Sequence, residues 1–309
     1  MKQAVISSSG LYTPEESVSN DELVQAFNSY VDNYNAEHSA EIEAGSVEPL
    51  EHSSSEFIYK ASGIKSRYTV DKAGILDPEF MRPRIDQRSN EEPSLMCEMA
   101  LKAATQALES ANRKPEDVDM VIAACSNLPR AYPALAVEIQ HYLGAGGFGF
   151  DMNVACATAA FGIQTAVDAI RSGSVKSVLM VNPEICTAHL NFRDRDCHFI
   201  FGDVCTATLI EAEDFAEDRA KFRVLGTRLS TQFSNNIRNN YGFLNPSETP
   251  GRTEFDRLFK QNGRRVFKEV TPLVANLVTE HVNDVAVDIS EIKRLWLHQA
   301  NINMNSLIS

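Results

Sequence analysis

The chain has 309 residues, 43% of them hydrophobic and 23% charged, so it exceeds the usual size of one core and is neither a disordered segment nor a disulfide-stapled module. Acidic side chains number 42 against 29 basic ones, a formal charge of −13 that disfavours nucleic acid or an anionic membrane as the main partner. The acidity is local: residues 3–59 hold eleven Asp and Glu and no Lys or Arg, leaving 31 acids and 29 bases elsewhere. No apolar run approaches a membrane span, and the N-terminal stretch lacks the apolar core and cleavage site of a signal peptide. A cytoplasmic location is expected. Six cysteines (Cys97, Cys125, Cys156, Cys186, Cys197, Cys205) occur without a CxxC pair, which argues for free thiols rather than disulfides or a structural metal.

In chain order, residues 30–56 are polar and read as a surface insertion. Helical periodicity then covers 92–112, followed by a strand at 118–125, a helix at 133–143, a strand at 147–152 and a helix at 156–172. Strands are expected at 176–181, 205–211 and 222–229, a helix at 263–283 and a last strand at 294–298. Gly144 and Gly173 stand where C-terminal helix caps belong. The alternation implies an α/β fold.

One unit repeats. A helix from near Ser94 leads through Lys114–Asp119 into the strand ending at Cys125, and a helix from near Gly263 leads through Val287–Ile292 into the strand ending at His298. A duplicated half-domain explains both. On that reading the first half continues for about 87 residues past Cys125, whereas 11 follow His298, so the second copy is expected to be incomplete.

Cys156, in Phe150–Gly162, follows a strand and begins a helical pattern. A thiol there faces the positive end of a helix dipole, about half a charge, which favours thiolate; a buried structural cysteine is the alternative reading. His298 opens His298–Asn301 at the C-terminal edge of an apolar run, where α/β folds gather ligands, although on its own a core histidine with satisfied hydrogen bonds is the commoner meaning. A cysteine with a distant histidine suggests acyl transfer or thioester chemistry. Papain-like proteolysis is the competing class, but its local pattern around the nucleophile is absent. From Gly251 to Glu269 six basic residues (Arg252, Arg257, Lys260, Arg264, Arg265, Lys268) stand against three acids. Such a run is either a solvated helix face or a dock for an acidic partner.

Five ordered segments resemble the β-ketoacyl-acyl carrier protein synthase III family of the thiolase superfamily: Ser62–Arg67, Asp151–Cys156, Ile200–Asp203, Asn262–Lys268 and His298–Asn301. The resemblance implies an α/β thiolase-like duplicated five-layer αβαβα fold, the second half incomplete, with residues 1–220 as the first half and 221–309 as the second. It implies a homodimer and a reaction in which Cys156 is acylated by an acyl-CoA and His298 assists decarboxylative condensation with malonyl-acyl carrier protein, in fatty-acid or related biosynthesis. No metal and no cofactor are implied. Simple acyl transfer and a non-catalytic partner subunit are the alternatives. By motif position Phe57 and Arg195 would hold coenzyme A, with Phe57 where the family has Trp. Tyr132 would reach across the dimer to the partner's acyl pocket. Arg264, Arg265, Lys268, Gln299, Asn301 and Asn303 would meet the carrier protein. The sequence departs from the family at Ala61 and Asn303, where the family has arginines, and it contains no Gly-Asn-Thr segment supplying the second enolate donor.

Overall fold

The structure, a computed structural model, describes residues 2–216, 222–249, 251 and 253–309. The expected boundary between residues 220 and 221, and Arg252 of the basic run, lie outside the described residues. The first regular elements are β1 (Ala4–Tyr12), β2 (Glu16–Ser19), α1 (Asn20–Glu37), α2 (Ser39–Glu43), α3 (Ser55–Ser62), β3 (Ser66–Thr69) and α4 (Lys72–Leu76). There follow α5 (Leu95–Ser110), β4 (Met120–Ala124), α6 (Leu135–Leu143), β5 (Phe148–Met152), α7 (Thr158–Arg171), β6 (Ser177–Ile185) and β7 (Asp203–Ala212). The last are α8 (Glu213–Ala216), β8 (Phe222–Arg223), β9 (Ile237–Arg238), β10 (Lys260–Gln261), α9 (Gly263–Asp284) and α10 (Ile302–Ile308). By internal contacts the chain divides into two units that interleave along the sequence. One comprises Met1–Thr13, Asp86–Ile185 and Asp203–Thr231, the other Pro14–Ile85, Cys186–Gly202 and Gln232–Ser309.

The first unit is built on a six-stranded sheet in the order β5-β4-β6-β7-β1-β8. β4 runs parallel to β5 and β6, while β7 is antiparallel to both β6 and β1. Every residue of β4 is buried, as a strand covered on both faces requires. Met120, Ile122 and Ala124 pack with Ala166, Val167 and Ile170 of α7, so Val121 and Ala123 point to the opposite face. Two glycines permit close approach of the layers. A Cβ on Gly10 of β1 would meet the Ala103 carbonyl of α5 at 1.9 Å, and one on Gly162 of α7 would meet Met180 Sδ at 2.5 Å. The expected strands at 118–125, 147–152, 176–181 and 205–211 correspond to β4, β5, β6 and β7. The strand expected at 222–229 is reduced to β8, because it pairs only with Val5 and Ile6 of β1.

In the second unit α1 begins with a capping box: the Glu22 N–H donates to Ser19 Oγ, and the Glu22 carboxylate accepts from the Ser19 N–H. Leu23, Phe27 and Val31 of α1 join Ile58, Phe192, Phe199 and Phe259 in one apolar cluster. Residues 30–56 are therefore only in part a surface insertion. Residues 30–37 finish α1, with Val31 wholly buried, and Asn28 and Asn35 hold the backbone at Ser53 and Leu50. Arg67, from the first family motif, is buried and donates to the Val18 carbonyl at 3.1 Å and to Asn20 Oδ1 at 2.7 Å. Burial lowers its pKa to about 10. The strand expected at 294–298 does not form: residues 292–298 have no regular structure, and Trp296 is 79% exposed. An apolar run becomes a strand only where a neighbour accepts its ladder hydrogen bonds, and none pairs with it among the described residues.

His198 is fully buried, with its ring stacked on Phe27 at 4.6 Å and its Nδ1–H donating to the Arg195 carbonyl at 2.9 Å. Burial lowers its pKa to about 4. The unfolded chain takes up this proton below about pH 6.5 while the folded chain resists until about pH 4, so stability falls as pH drops through that window. Thermal unfolding scans between pH 7 and 4 are expected to show a falling Tm, and a shallower fall in His198→Asn, whose side-chain amide can still donate to Arg195. An equally steep fall in the variant would assign the acid sensitivity to other groups.

Candidate active site

Cys156 lies in the first unit, on a 3-10 turn of Ala155–Ala157 between β5 and α7. The preceding residue, Ala155, has φ +47°, a conformation that costs a non-glycine residue about 1 kcal/mol or more and persists where surrounding bonds over-determine it. Those bonds are visible. The Ala155 N–H donates to Asn153 Oδ1 at 2.9 Å, the Val154 N–H donates to Thr158 Oγ1 at 2.8 Å, and that hydroxyl donates to the Ala155 carbonyl at 2.5 Å. Asp151, near the end of β5, receives the Leu135 and Ala136 N–H groups at 2.8 and 2.7 Å and so caps α6. The motif Asp151–Cys156 thus fixes a helix at one end and presents a thiol at the other.

Cys156 is exposed, whereas Cys97, Cys125, Cys197 and Cys205 are buried. Its pKa is nevertheless raised, first by the protein mass around the sulfur and then by the Glu184 carboxylate. The expectation of a thiol tipped toward thiolate is therefore corrected. The thiol lies within the 3-10 turn that precedes α7 and the nearby charge is negative, so the resting group is a neutral thiol that must lose its proton as it attacks.

His298 belongs to the second unit. The residue as a whole is exposed, yet desolvation of the imidazole disfavours its charged form and holds its pKa below the usual imidazole value. The imidazole is neutral near pH 7. Asn301 caps α10 through the Asn303 and Met304 N–H groups and donates to the Ala61 carbonyl at 2.9 Å; Asn303 donates to the Lys60 carbonyl at 3.3 Å. Both asparagines therefore bind α10 to α3. Gln299 is exposed in the turn after His298.

The guanidinium of Arg195 lies 4.5 Å from the centroid of the Phe57 ring, and Phe199 meets the same ring edge-on at 6.0 Å. Arg195 Nε also donates to the His52 carbonyl at 2.8 Å. A planar base between Arg195 and Phe57 needs about 7 Å, twice the van der Waals contact distance, so Arg195 must swing for it to enter. Tyr132 is 84% exposed, on a loop anchored by Arg130, which pairs with Glu138 at 2.9 Å. Arg264, Arg265 and Lys268 are exposed on the first turns of α9 and make no ion pair among the described residues.

Three groups around the thiol were missed in the sequence. Glu184 of β6 accepts from the Ser126 N–H and Oγ–H, each at 2.6 Å, and Asn153 Nδ2 donates to the Ser126 carbonyl at 2.8 Å. No spacing rule joins residues 58 positions apart; only the neighbouring strands β4 and β6 do.

Residues 150–232 match the model of the 3-oxoacyl-[acyl-carrier-protein] synthase III family. The chain is 56% identical over 286 residues to a β-ketodecanoyl-[acyl-carrier-protein] synthase of Pseudomonas aeruginosa, covering 93% of this chain and 82% of that protein. The chain belongs to the 3-oxoacyl-[acyl-carrier-protein] synthase III family. A β-ketoacyl-[acyl-carrier-protein] synthase III of Granulibacter bethesdensis is 29% identical over 98% of this chain and 79% of its own length. Among solved structures, the 3-oxoacyl-(acyl carrier protein) synthase III of Pseudomonas aeruginosa superposes with a TM-score of 0.73 at 23% identity, covering 99% of this chain and 78% of that one. The fold is thus the α/β thiolase-like fold of synthase III, and the protein is an acyltransferase of the condensing type, as the motifs imply. Simple transfer and the partner-subunit reading are not favoured. No helix among the described residues is long and apolar enough to cross a membrane.

Proposed function

We propose that this synthase joins an eight-carbon acyl primer, carried as its coenzyme A ester, to malonyl-acyl carrier protein in the cytoplasm. The observation that carries this reading is the open Cys156 thiol on the β5–α7 turn of a chain that is 56% identical to a β-ketodecanoyl synthase. A ten-carbon product takes two carbons from malonate after loss of carbon dioxide, which leaves eight for the primer. Cys156 attacks the primer's thioester carbonyl, the C–S bond to coenzyme A breaks, and the leaving coenzyme A sulfur takes up the proton that Cys156 gives up. Malonyl thioester then loses carbon dioxide, and the resulting enolate accepts a hydrogen bond from neutral His298. Its carbon attacks the acyl-Cys156 carbonyl, a C–C bond replaces the C–S bond, and the cysteine is released. These steps ask for a nucleophile and oriented donors, and no cofactor.

Residues 1–220 and 221–309 are assigned as the two thiolase-like halves. Phe57 and Arg195 hold coenzyme A once Arg195 has moved aside. A homodimer is supported by β5, which ends the sheet with Phe148 half exposed; Tyr132, on its exposed loop, then reaches the partner. Docking of the carrier is assigned to Arg264, Arg265 and Lys268, beside Gln299, Asn301 and Asn303. Cations in the first turns of α9 oppose the helix dipole and so do not serve helix stability, which favours a role toward an acidic partner.

The test is intact mass after incubation with acyl-CoA esters of two to sixteen carbons, followed by malonyl-acyl carrier protein. A mass gain greatest with octanoyl-CoA, and its loss on adding the malonyl carrier with β-ketodecanoyl product, is expected. Arg264→Glu with Lys268→Glu should slow only the carrier-dependent step, by about tenfold, and less at high salt. An acyl group that leaves to water instead would reduce the activity to hydrolysis or simple transfer.

A further inference from the structure

A continuous hydrogen-bonded chain runs from β6 to the nucleophile. It starts at Glu184, whose two carboxylate oxygens take the Ser126 N–H and Oγ–H at 2.6 Å each. Asn127 Nδ2 donates to the same Ser126 hydroxyl at 2.9 Å. The Ser126 carbonyl then receives Asn153 Nδ2 at 2.8 Å, and Asn153 Oδ1 receives the Ala155 N–H at 2.9 Å. Ala155 is the residue held at φ +47°, immediately before Cys156. Every link lies within one unit of the fold. Charge-assisted bonds of this length are among the stronger that a side chain makes, and a left-handed alanine persists only where such bonds enforce it.

We propose that Glu184 is a positioning residue for Cys156, acting through Ser126 and Asn153 to hold the Ala155 turn that presents the thiol to an acyl thioester. The proposal rests on the reading of Cys156 as the acylated residue. It gives Glu184 a second effect through space. Among the described residues its carboxylate is the charge that acts on the Cys156 thiol, and it also bears on Cys125 and Cys205. After burial, the larger cause, a negative group so placed further opposes thiolate formation. The carboxylate therefore fixes where the thiol points and limits its reaction with chance electrophiles.

The experiment measures alkylation of Cys156 by iodoacetamide from pH 6 to 10, followed by peptide mass, in wild type, Glu184→Gln, Glu184→Asp and Asn153→Ala. Alkylation requires only the thiol, so it is read whether or not the protein condenses anything. Single-turnover acylation by octanoyl-CoA and thermal unfolding are recorded on the same samples. In Glu184→Gln the alkylation midpoint should move to lower pH and alkylation at pH 7 should quicken, while acylation slows about tenfold. Glu184→Asp, which keeps the charge, should retain the wild-type midpoint. Asn153→Ala keeps Glu184 and its charge, so it should leave the midpoint in place and slow acylation alone. An unchanged midpoint and acylation rate in Glu184→Gln would overturn the proposal. So would acylation losses in both variants that merely follow a lowered Tm. Loss of Cys156 acylation in wild type itself would instead fault the reading of the nucleophile, and leave the alkylation comparison to decide the role of Glu184.

Discussion

Cys156→Ala protein incubated with octanoyl-CoA is expected to show no mass gain, whereas Cys125→Ser and Cys205→Ser proteins should gain one octanoyl group each. The contrast follows from access and ionisation together. Cys125 and Cys205 are wholly buried, and burial pushes their thiols up, that of Cys205 to about 12, so neither presents a usable sulfur at neutral pH. Cys156 is exposed on its turn, and its modestly unfavourable ionisation is overcome if the proton leaves during attack. Acyl-enzyme in the Cys156→Ala protein would remove this residue from the mechanism.

His298→Ala should separate the two halves of the reaction. Acylation of Cys156 by octanoyl-CoA is expected to continue, while malonyl-dependent formation of β-ketodecanoyl product falls by about 10²–10³, the usual cost of losing one oriented donor to a developing oxyanion. Because the His298 pKa lies below the ordinary imidazole value, the neutral ring persists to lower pH than a free histidine would allow. The acid limb attributable to this residue in the wild-type condensation rate is therefore expected below the ordinary imidazole range. Rapid-quench assays of both steps from pH 5 to 9 measure this directly. Wild-type condensation by the Ala variant would exclude a role for the imidazole.

The parallel core was legible because its strands are apolar on both faces: Met120–Ala124 and Ser177–Val181 announce themselves without any neighbour. β1 was not. Its Ser7-Ser8-Ser9-Gly10 segment is polar, and it is a strand because β7 supplies a ladder and because Gly10 lets α5 lie against it. The first helix was hidden by its charge, although the Ser19–Glu22 capping signature stood in the sequence. Arg294–His298 failed in the opposite direction, an apolar run to which no strand is laddered among the described residues. At the candidate site the thiol and the imidazole were readable from their local patterns. The thiol's electrical environment was not, since Glu184 reaches the turn only through the folding of β4 against β6.

The register of β1 bears on how the protein is made. Ala4 pairs with Ala212 and Tyr12 with Cys205, so β1 is completed by a strand synthesised about 200 residues later. At ordinary rates of translation that is a wait of roughly 10–40 s, and contacts so distant in sequence are slow to close even in a finished chain. Because the two contact units interleave, neither is available as an uninterrupted stretch of nascent polypeptide. Assembly of the central sheet must therefore wait for β7, and until those residues are made β1 is a strand whose permanent neighbour does not yet exist.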